Sequence, residues 1–452
     1  MSKTLPTRTK LLYGIGAFGY GSVGQTLAAF LMFFGTGILG IPGVLMGVAI
    51  AASTIWDGVT DPFIGHFSDK TKSKRFGKRH GFMLVACIAI AVINIFIWVI
   101  PESLPVPAKF FMLFGLLMII ETFNTTYSTP YQALGMDISK SYEDRTAVQG
   151  YKTVFGFMAL LVPSILMMVF LGGDGGRGYI WIAVITSTLC IVCGLVAFVG
   201  TYKLRNQTES VERVLPPAES DKGLFENFFG VIKQKNVKRL IIGYAVSLSA
   251  GAFLTSLGLH IFTYTFQFST LQIPLVMMSL IFGIIAGQPL WYWYSKKTDK
   301  VIALKTALVT VIIGMILFAF VLSLRNQVPV GALLPLVALT IFICGVGTGC
   351  LYSVPVSMFA DCIEMEKKRT GIDKTAVSAA FLTFCMKISN AFVMFVVGLS
   401  LDIIGFSGAI ATQSLSVQNW LGWLLVCGVI TASVIAYVAY SGYSYNRNDF
   451  DE

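Results

Sequence analysis

The chain has 452 residues, of which 55% are hydrophobic and only 12% charged, with 35 Phe and 44 Gly. Soluble domains carry about 25% charged residues, so this composition excludes an ordinary soluble protein and points to one that crosses a bilayer many times. The formal net charge of +10 then belongs to loops rather than to a nucleic-acid surface.

In chain order, the N-terminal MSKTLPTRTK leads into a Gly-rich apolar run with no small-residue cleavage site. It reads as a cytoplasmic tail entering an uncleaved first helix. Runs long enough to span, about 20 residues each, are predicted near 12–38, 43–67, 81–100, 108–134, 150–171, 179–201, 238–266, 274–294, 301–324, 330–358, 376–404 and 420–443. The expected architecture is all-α: twelve transmembrane helices in two six-helix halves, 1–201 and 237–452, joined by a hydrophilic cytoplasmic segment, 202–236. Lys and Arg gather on the cytoplasmic side of membrane proteins. With the N-terminus inside, 29 of the 33 fall on inner segments such as Lys70 to Arg79, Lys203 to Arg239 and Lys367 to Lys374. Lys109, Arg177 and Arg325 fall outside, and Lys387 stands in the middle of the eleventh run. Both termini are therefore expected in the cytoplasm, under a plasma (inner) membrane.

The chain repeats itself. STPYQALGMDISKSYEDRTAV (128–148) and SVPVSMFADCIEMEKKRTGIDKTAV (353–377) share a Pro, an Asp and basic residues with Arg-Thr; GHFSDKTKSKRFGKR and WYWYSKKTDKVIALK form a second pair at a similar offset. Such repeats mark secondary transporters, whose sites lie near the bilayer midplane.

Ionisable groups inside the runs are candidates for that site. Asp57 and Asp61 lie one turn apart in TIWDGVTDPFIG, with Ser53 one turn earlier. Each carboxylate costs about 3 kcal/mol at mid-membrane, and the two repel. A purely structural pair is disfavoured, because two ionised acids cannot satisfy each other; a bound Na⁺ or H⁺ removes the repulsion and much of the desolvation cost. On the fourth run Glu121, Asn124, Thr125 and Ser128 form one stripe, and on the eleventh Thr383, Lys387 and Asn390 do the same. Hydroxyl and amide groups on such stripes also serve as plain interhelical hydrogen-bond partners; Glu121 and Lys387 tip them toward function. Ser249, Ser256, His260, Tyr264 and Gln267 trace a further stripe on the seventh run, although an isolated His such as His260 is more often a hydrogen-bonded packing residue than a substrate ligand. Gly14, Gly16, Gly19, Gly21 and Gly24 permit close packing or a hinge of the first helix, with Tyr20, Ser22 and Gln25 as cavity candidates. The basic loop SDKTKSKRFGKR is a positive-inside anchor or a tie between halves. The eight Cys read as small apolar filler, with no disulfide or metal role.

YGIGAFGYG, WDGVTDPFIGHFSDKTKSKRFGKR, TPYQALGMDISKSYEDRT, FADCIEMEKKRTG and FCMKISNAFVMFVVGLSLDIIGF resemble, in order and spacing over nearly the whole chain, the glycoside-pentoside-hexuronide cation symporters of the major facilitator superfamily, which include the melibiose carriers. The resemblance implies the major facilitator fold. It also implies that Asp57 and Asp61 bind the coupling Na⁺, Li⁺ or H⁺, with Thr125 at the same cation site, Thr60 beside it and Lys387 close by. It departs where melibiose carriers hold sugar hydroxyls with aspartates: here stand Gly21 and Ser128, and a fifth-helix arginine is approximated by Lys152. TPYQALGMDIS and the Lys387 segment are also similar to sodium-dependent lysophosphatidylcholine carriers, which keeps an amphiphilic substrate open.

The expected function is cation-coupled import of a glycoside or acidic sugar by alternating access. Expected substrate-binding residues are Glu121, Asn124, Ser128, Lys152, His260, Tyr264, Gln267 and Lys387; Asp57, Asp61, Thr125 and Thr60 are expected to hold the cation. No other cofactor, no nucleic-acid partner and a monomer in the lipid bilayer complete the expectation. The rivals are a lysophospholipid symporter and a proton-driven exporter. An intramembrane hydrolase built on Asp57 and Asp61 fits poorly, because an acid dyad sharing a proton normally comes from two helices, and no Gly-x-x-x-x-Gly-Lys-Ser/Thr nucleotide loop is present.

Overall fold

Uninterrupted apolar runs leave the backbone no solvent to bond, so each must close its own i→i−4 hydrogen bonds as a helix. The computed structural model describes residues 5–71, 73, 75–138, 142–170, 177–204, 235–370, 375–408, 410 and 412–443. Residues 205–234 of the expected central segment, together with Lys3, Lys72, Lys74, Lys140, 371–374 and Arg447, lie outside the described residues. Among the described residues the fold is all-α, with twelve helices long and apolar enough to cross a membrane. They are α1 (Thr7–Phe33), α2 (Gly43–Lys70), α3 (His80–Trp98), α4 (Val106–Asp137), α5 (Tyr142–Phe170), α6 (Arg177–Tyr202), α7 (Lys235–His260), α8 (Gln272–Lys297), α9 (Lys300–Leu324), α10 (Val330–Thr370), α11 (Thr375–Ile403) and α12 (Leu415–Ser441).

Several helices overrun the apolar runs that announce them, α2, α4, α8 and α10 at both ends or one. The tenth was expected to end near 358, yet α10 continues to Thr370 and is 41 residues long. Hydropathy marks only the part in lipid; Met, Glu and Lys beyond it are good helix formers and carry the ladder on. Prolines sit inside α2 (Pro62), α4 (Pro130), α5 (Pro163), α8 (Pro289) and α10 (Pro335, Pro355). Each removes one ladder bond, which membrane helices tolerate where neighbours or local adjustments satisfy the freed groups.

The chain forms two compact units, one of Met1–Ile41 with Ala52–Pro217 and one of Pro42–Ala51 with Ala218–Glu452. In the first, α1 packs against α5 and α6, and α3 against α4 and α6. Tyr13 of α1 and Tyr131 of α4 also join: their rings stack at 4.5 Å, and each phenol donates to the other's backbone carbonyl, at 3.0 Å from Tyr13 and 2.7 Å from Tyr131. In the second unit α8 and α10 approach through Gly283, Gly287, Gly345 and Gly349, whose missing side chains admit the facing backbone. Trp291 Nε1 donates to the Val346 carbonyl across the same seam at 2.6 Å.

The repeat seen in sequence reappears as backbone geometry. α1 runs into a π-helical turn at Phe34–Ile38, and α7 into one at Ile261–Thr265. Leu39 N bonds the Phe34 carbonyl and Ile41 N that of Gly35, both at 2.9 Å; Phe266 N bonds that of Ile261 at 3.0 Å and Phe268 N that of Phe262 at 2.9 Å. A left-handed residue follows in each, Gly40 at φ 65° and Gln267 at φ 55°.

Candidate functional site

The residues expected to hold the cation lie within the first unit on α2 and α4. On α2, residues four apart share a face, so Asp57 and Asp61 point the same way. α4 runs beside it and meets each acid with a threonine at the same sequence offset. The Thr125 hydroxyl donates to Asp57 Oδ1 in a short bond, and the Thr129 hydroxyl donates to Asp61 Oδ1 at 3.3 Å. The Thr60 hydroxyl lies 3.2 Å from that of Thr125 and 3.1 Å from the Asp57 carbonyl oxygen. One turn away Trp56 Nε1 donates to the Thr122 hydroxyl at 2.9 Å. Thr125 and Ser53 are buried, and both aspartates are half-buried.

The arrangement is a ladder of two carboxylates and three hydroxyls, all hard oxygen donors of the kind that hold an alkali cation or a proton. Hydroxyls suit either state of such a site. They donate to an ionised carboxylate, and they can turn a lone pair toward a cation. No group of three or more His, Cys, Asp or Glu side chains fit to hold a metal occurs among the described residues.

Further along α4, Asn124 Nδ2 donates to Glu121 Oε2 at 3.2 Å, while Asn124 Oδ1 is buried with no hydrogen-bond partner. Ser128 is half-buried on the same stripe, and Lys152 is half-buried on α5. Gly21 of α1 faces α5 so closely that a Cβ added there would lie 3.2 Å from Ala159 Cβ. Of the first-helix cavity candidates, Tyr20 packs on Tyr127 and Tyr131, Ser22 is buried and bonded to the Phe18 carbonyl of its own helix, and Gln25 is half-buried.

In the second unit the hydroxyls of Ser249 on α7 and Ser389 on α11 meet at 2.6 Å. Lys387 and Asn390 of α11 are half-buried, and Asn390 Oδ1 is buried with no hydrogen-bond partner. His260 is fully buried; its Nδ1–H donates to the Ser256 carbonyl at 3.2 Å, and its ring stands edge-on to Phe406 at 5.2 Å. Tyr264 meets the same Phe406 at 5.2 Å. Gln267 is exposed in the left-handed turn after the π segment, so the helical stripe expected through it ends at Tyr264.

Two participants escaped the sequence reading: Thr129, and the Trp56–Thr122 contact. The available signal for Thr129 was its i, i+4 relation to Thr125, which mirrors that of Asp57 and Asp61.

Residues 12–447 match the MFS/sugar transport protein family. The sodium-dependent lysophosphatidylcholine symporter 1-A of Danio rerio is 21% identical, over 98% of this chain and 86% of that protein. The isoprimeverose transporter of Lactiplantibacillus pentosus is 20% identical over 92% and 83% of the two chains. The crystal structure of the nucleoside transporter NupG superposes with a TM-score of 0.66 at 14% identity, covering 97% of this chain and 99% of that one, and shares its fold. With twelve membrane-spanning helices in that fold and a family match over almost its full length, the chain belongs to the MFS/sugar transport protein family.

Proposed function

We propose that this protein is a secondary active symporter that couples import of a glycoside or acidic sugar to a cation, Na⁺ or alternatively H⁺ or Li⁺, by alternating access. It would work as a monomer in the plasma membrane with both termini and the central segment cytoplasmic, as the basic residues favour. The observation that carries the reading is the ladder Asp57–Thr125 and Asp61–Thr129 inside an apolar helix pair. Two acids at membrane depth are stable together when a cation neutralises their repulsion. A loaded cation would order Thr125 and, through α4, the Glu121–Asn124 stripe, so that cation and substrate raise each other's affinity by the same factor. Lys387 on α11 adds a cation of the protein's own whose burial a nearby charge would offset. The resemblance to glycoside-pentoside-hexuronide symporters and the name of the family both support a sugar. The sodium-dependent symport named for the Danio rerio relative supports the coupling ion and keeps a lysophospholipid as the second substrate reading.

The test is thermal stability of the purified protein against sugars, uronates, sulfonated sugars and lysolipids, each with Na⁺ or with K⁺ at equal ionic strength. A ligand held at 100 times its dissociation constant stabilises by about 2.7 kcal/mol, readily seen in a melting curve. A sugar or uronate whose effect requires Na⁺, Li⁺ or low pH is expected. A protein indifferent to every cation would exclude the symport reading, and accumulation in inverted rather than right-side-out vesicles would identify an exporter.

A further inference from the structure

Thr129, like Thr125 and unlike Thr122 and Thr126, turns its hydroxyl away from its own helix. Thr122 and Thr126 give their protons to carbonyls of their own helix, those of Met118 and Thr122, at 2.8 and 2.7 Å. Thr129 instead reaches across to Asp61 Oδ1 at 3.3 Å. A β-branched side chain is stiff about its first torsion, so fixing the methyl fixes the hydroxyl. The Thr129 methyl lies over Gly65, one turn beyond Asp61 on α2; a Cβ added at Gly65 would stand 3.5 Å from Thr129 Cγ2. The methyl thus lies at ordinary contact distance from the Gly65 position, and the hydroxyl on the same Cβ faces Asp61.

We propose that Thr129 is the second threonine ligand of the cation site and the residue that sets which alkali cation the site prefers. The proposal rests on the cation-symport reading above. Two carboxylates attract Na⁺, Li⁺ and K⁺ through the same charge, so the acids supply affinity with little choice among them. Choice comes from the number, spacing and rigidity of the oxygens around the ion. Asp57 and Asp61 are fixed one turn apart by α2, while Thr125 and Thr129 are fixed one turn apart by α4. The two pairs form a four-cornered oxygen set whose width is the spacing of the two helices. Thr125 is shared with Asp57 and Thr60, and among the described residues Thr129 brings a hydroxyl to the Asp61 corner. Losing it lowers the count of oxygens by one and keeps both charges. A small ion such as Li⁺, content with fewer ligands, loses less than Na⁺.

Two substitutions separate the oxygen from the shape. Thr129→Val keeps the methyl over Gly65 and deletes the oxygen; Thr129→Ser keeps the oxygen. Thr126→Ala, whose hydroxyl serves its own helix, is the control. The readout is the melting temperature of detergent-purified protein titrated with NaCl, LiCl or KCl at constant ionic strength, which needs no transport substrate. Thr129→Val is expected to raise the half-saturating Na⁺ about tenfold, the size of one lost ligand contact, and that of Li⁺ by less than about threefold. Thr129→Ser and Thr126→Ala should keep the wild-type Na⁺ to Li⁺ ratio. Equal losses for both ions in Thr129→Val would reduce Thr129 to a support for the Asp61 side chain and overturn its part in selectivity. No change in Thr129→Val would overturn its place at the site. A wild-type protein that ignores all three cations, with Asp57→Asn melting identically, would instead refute the cation site itself, an outcome distinct from either.

Discussion

The hydroxyl of Thr125 on α4 donates to Oδ1 of Asp57 on α2, so the acid of one membrane helix is held by the hydroxyl of its neighbour. Hydrogen bonds to an ionised acceptor are worth about 1.5–3 kcal/mol, and this one also fixes the carboxylate toward α4. Asp57→Asn keeps the shape and a carbonyl acceptor but removes the charge. It should abolish cation-driven accumulation while leaving the fold, and substrate binding alone should survive in weakened form, because coupling is lost and not the whole pocket. Asp61→Asn should behave alike. Uptake into right-side-out vesicles with and without an imposed Na⁺ gradient measures this; retained gradient-driven uptake in both variants would remove the acids from the coupling site.

Lys387 is a basic residue at membrane depth, twelve residues beyond the first residue of α11. A lysine so far from either helix end is poorly served by snorkelling. Lys387→Met, which preserves length and apolar stem, should express and melt like wild type yet lose coupled transport. Normal uptake kinetics in that variant would show the ammonium to be merely solvated.

Asp402, in the last turn of α11, accepts from the backbone N–H of Gly43 at 2.6 Å and of Val44 at 2.8 Å, the first two residues of α2. A carboxylate at a helix N-terminus satisfies orphan donors and meets the positive end of the helix dipole. Gly43, Gly47 and Gly398 let the two backbones approach: a Cβ on Gly398 would fall on the Gly43 carbonyl oxygen. Asp402 is exposed, so the charge is screened, and Asp402→Ala should cost about 1 kcal/mol. Gly398→Ala should cost more, since the helices themselves must part. Melting temperatures of the two variants rank them; the reverse order would mean that the cap, not the close packing, dominates this contact.

How much of this was legible in sequence follows from what each feature depends on. Hydropathy and basic residues located all twelve helices, because the cost of burying backbone and charge in lipid acts on local sequence. Asp57 and Asp61 stood out for the same reason. Thr129 did not: threonines in membrane helices commonly bond their own i−4 carbonyl, as Thr122 and Thr126 do here, so the residue type says nothing until the neighbouring helix is in place. Gln267 reads as helical from its spacing, and only the π turn at Ile261–Thr265 ends the helix before it.

Substrate class is the last prediction, and it turns on two positions. Melibiose carriers place aspartates where this chain has Gly21 and Ser128, and a Cβ added at Gly21 would lie 3.2 Å from Ala159 Cβ, tighter than an ordinary contact. The acceptors that would bridge neighbouring hydroxyls of a neutral galactoside are therefore missing, along with the discrimination such groups enforce when left unpaired. What remains asks for a different ligand. Asn124 Oδ1 in the first unit is a buried acceptor that a sugar hydroxyl would satisfy. Lys152 of the same unit offers a cation for an anionic group, as a charge-assisted hydrogen bond. A uronate or other acidic glycoside supplies both, whereas a zwitterionic lysolipid supplies the anion with few hydroxyls and a neutral galactoside the reverse. Competition against a bound radiolabelled ligand should thus rank uronates first, lysolipids second and neutral galactosides last. Lys152→Gln should erase the preference for the acidic sugar over its neutral counterpart and leave Na⁺ binding intact. Galactosides displacing the ligand best would show that Glu121, bonded to Asn124 on the same stripe, supplies the carboxylate that Gly21 and Ser128 lack.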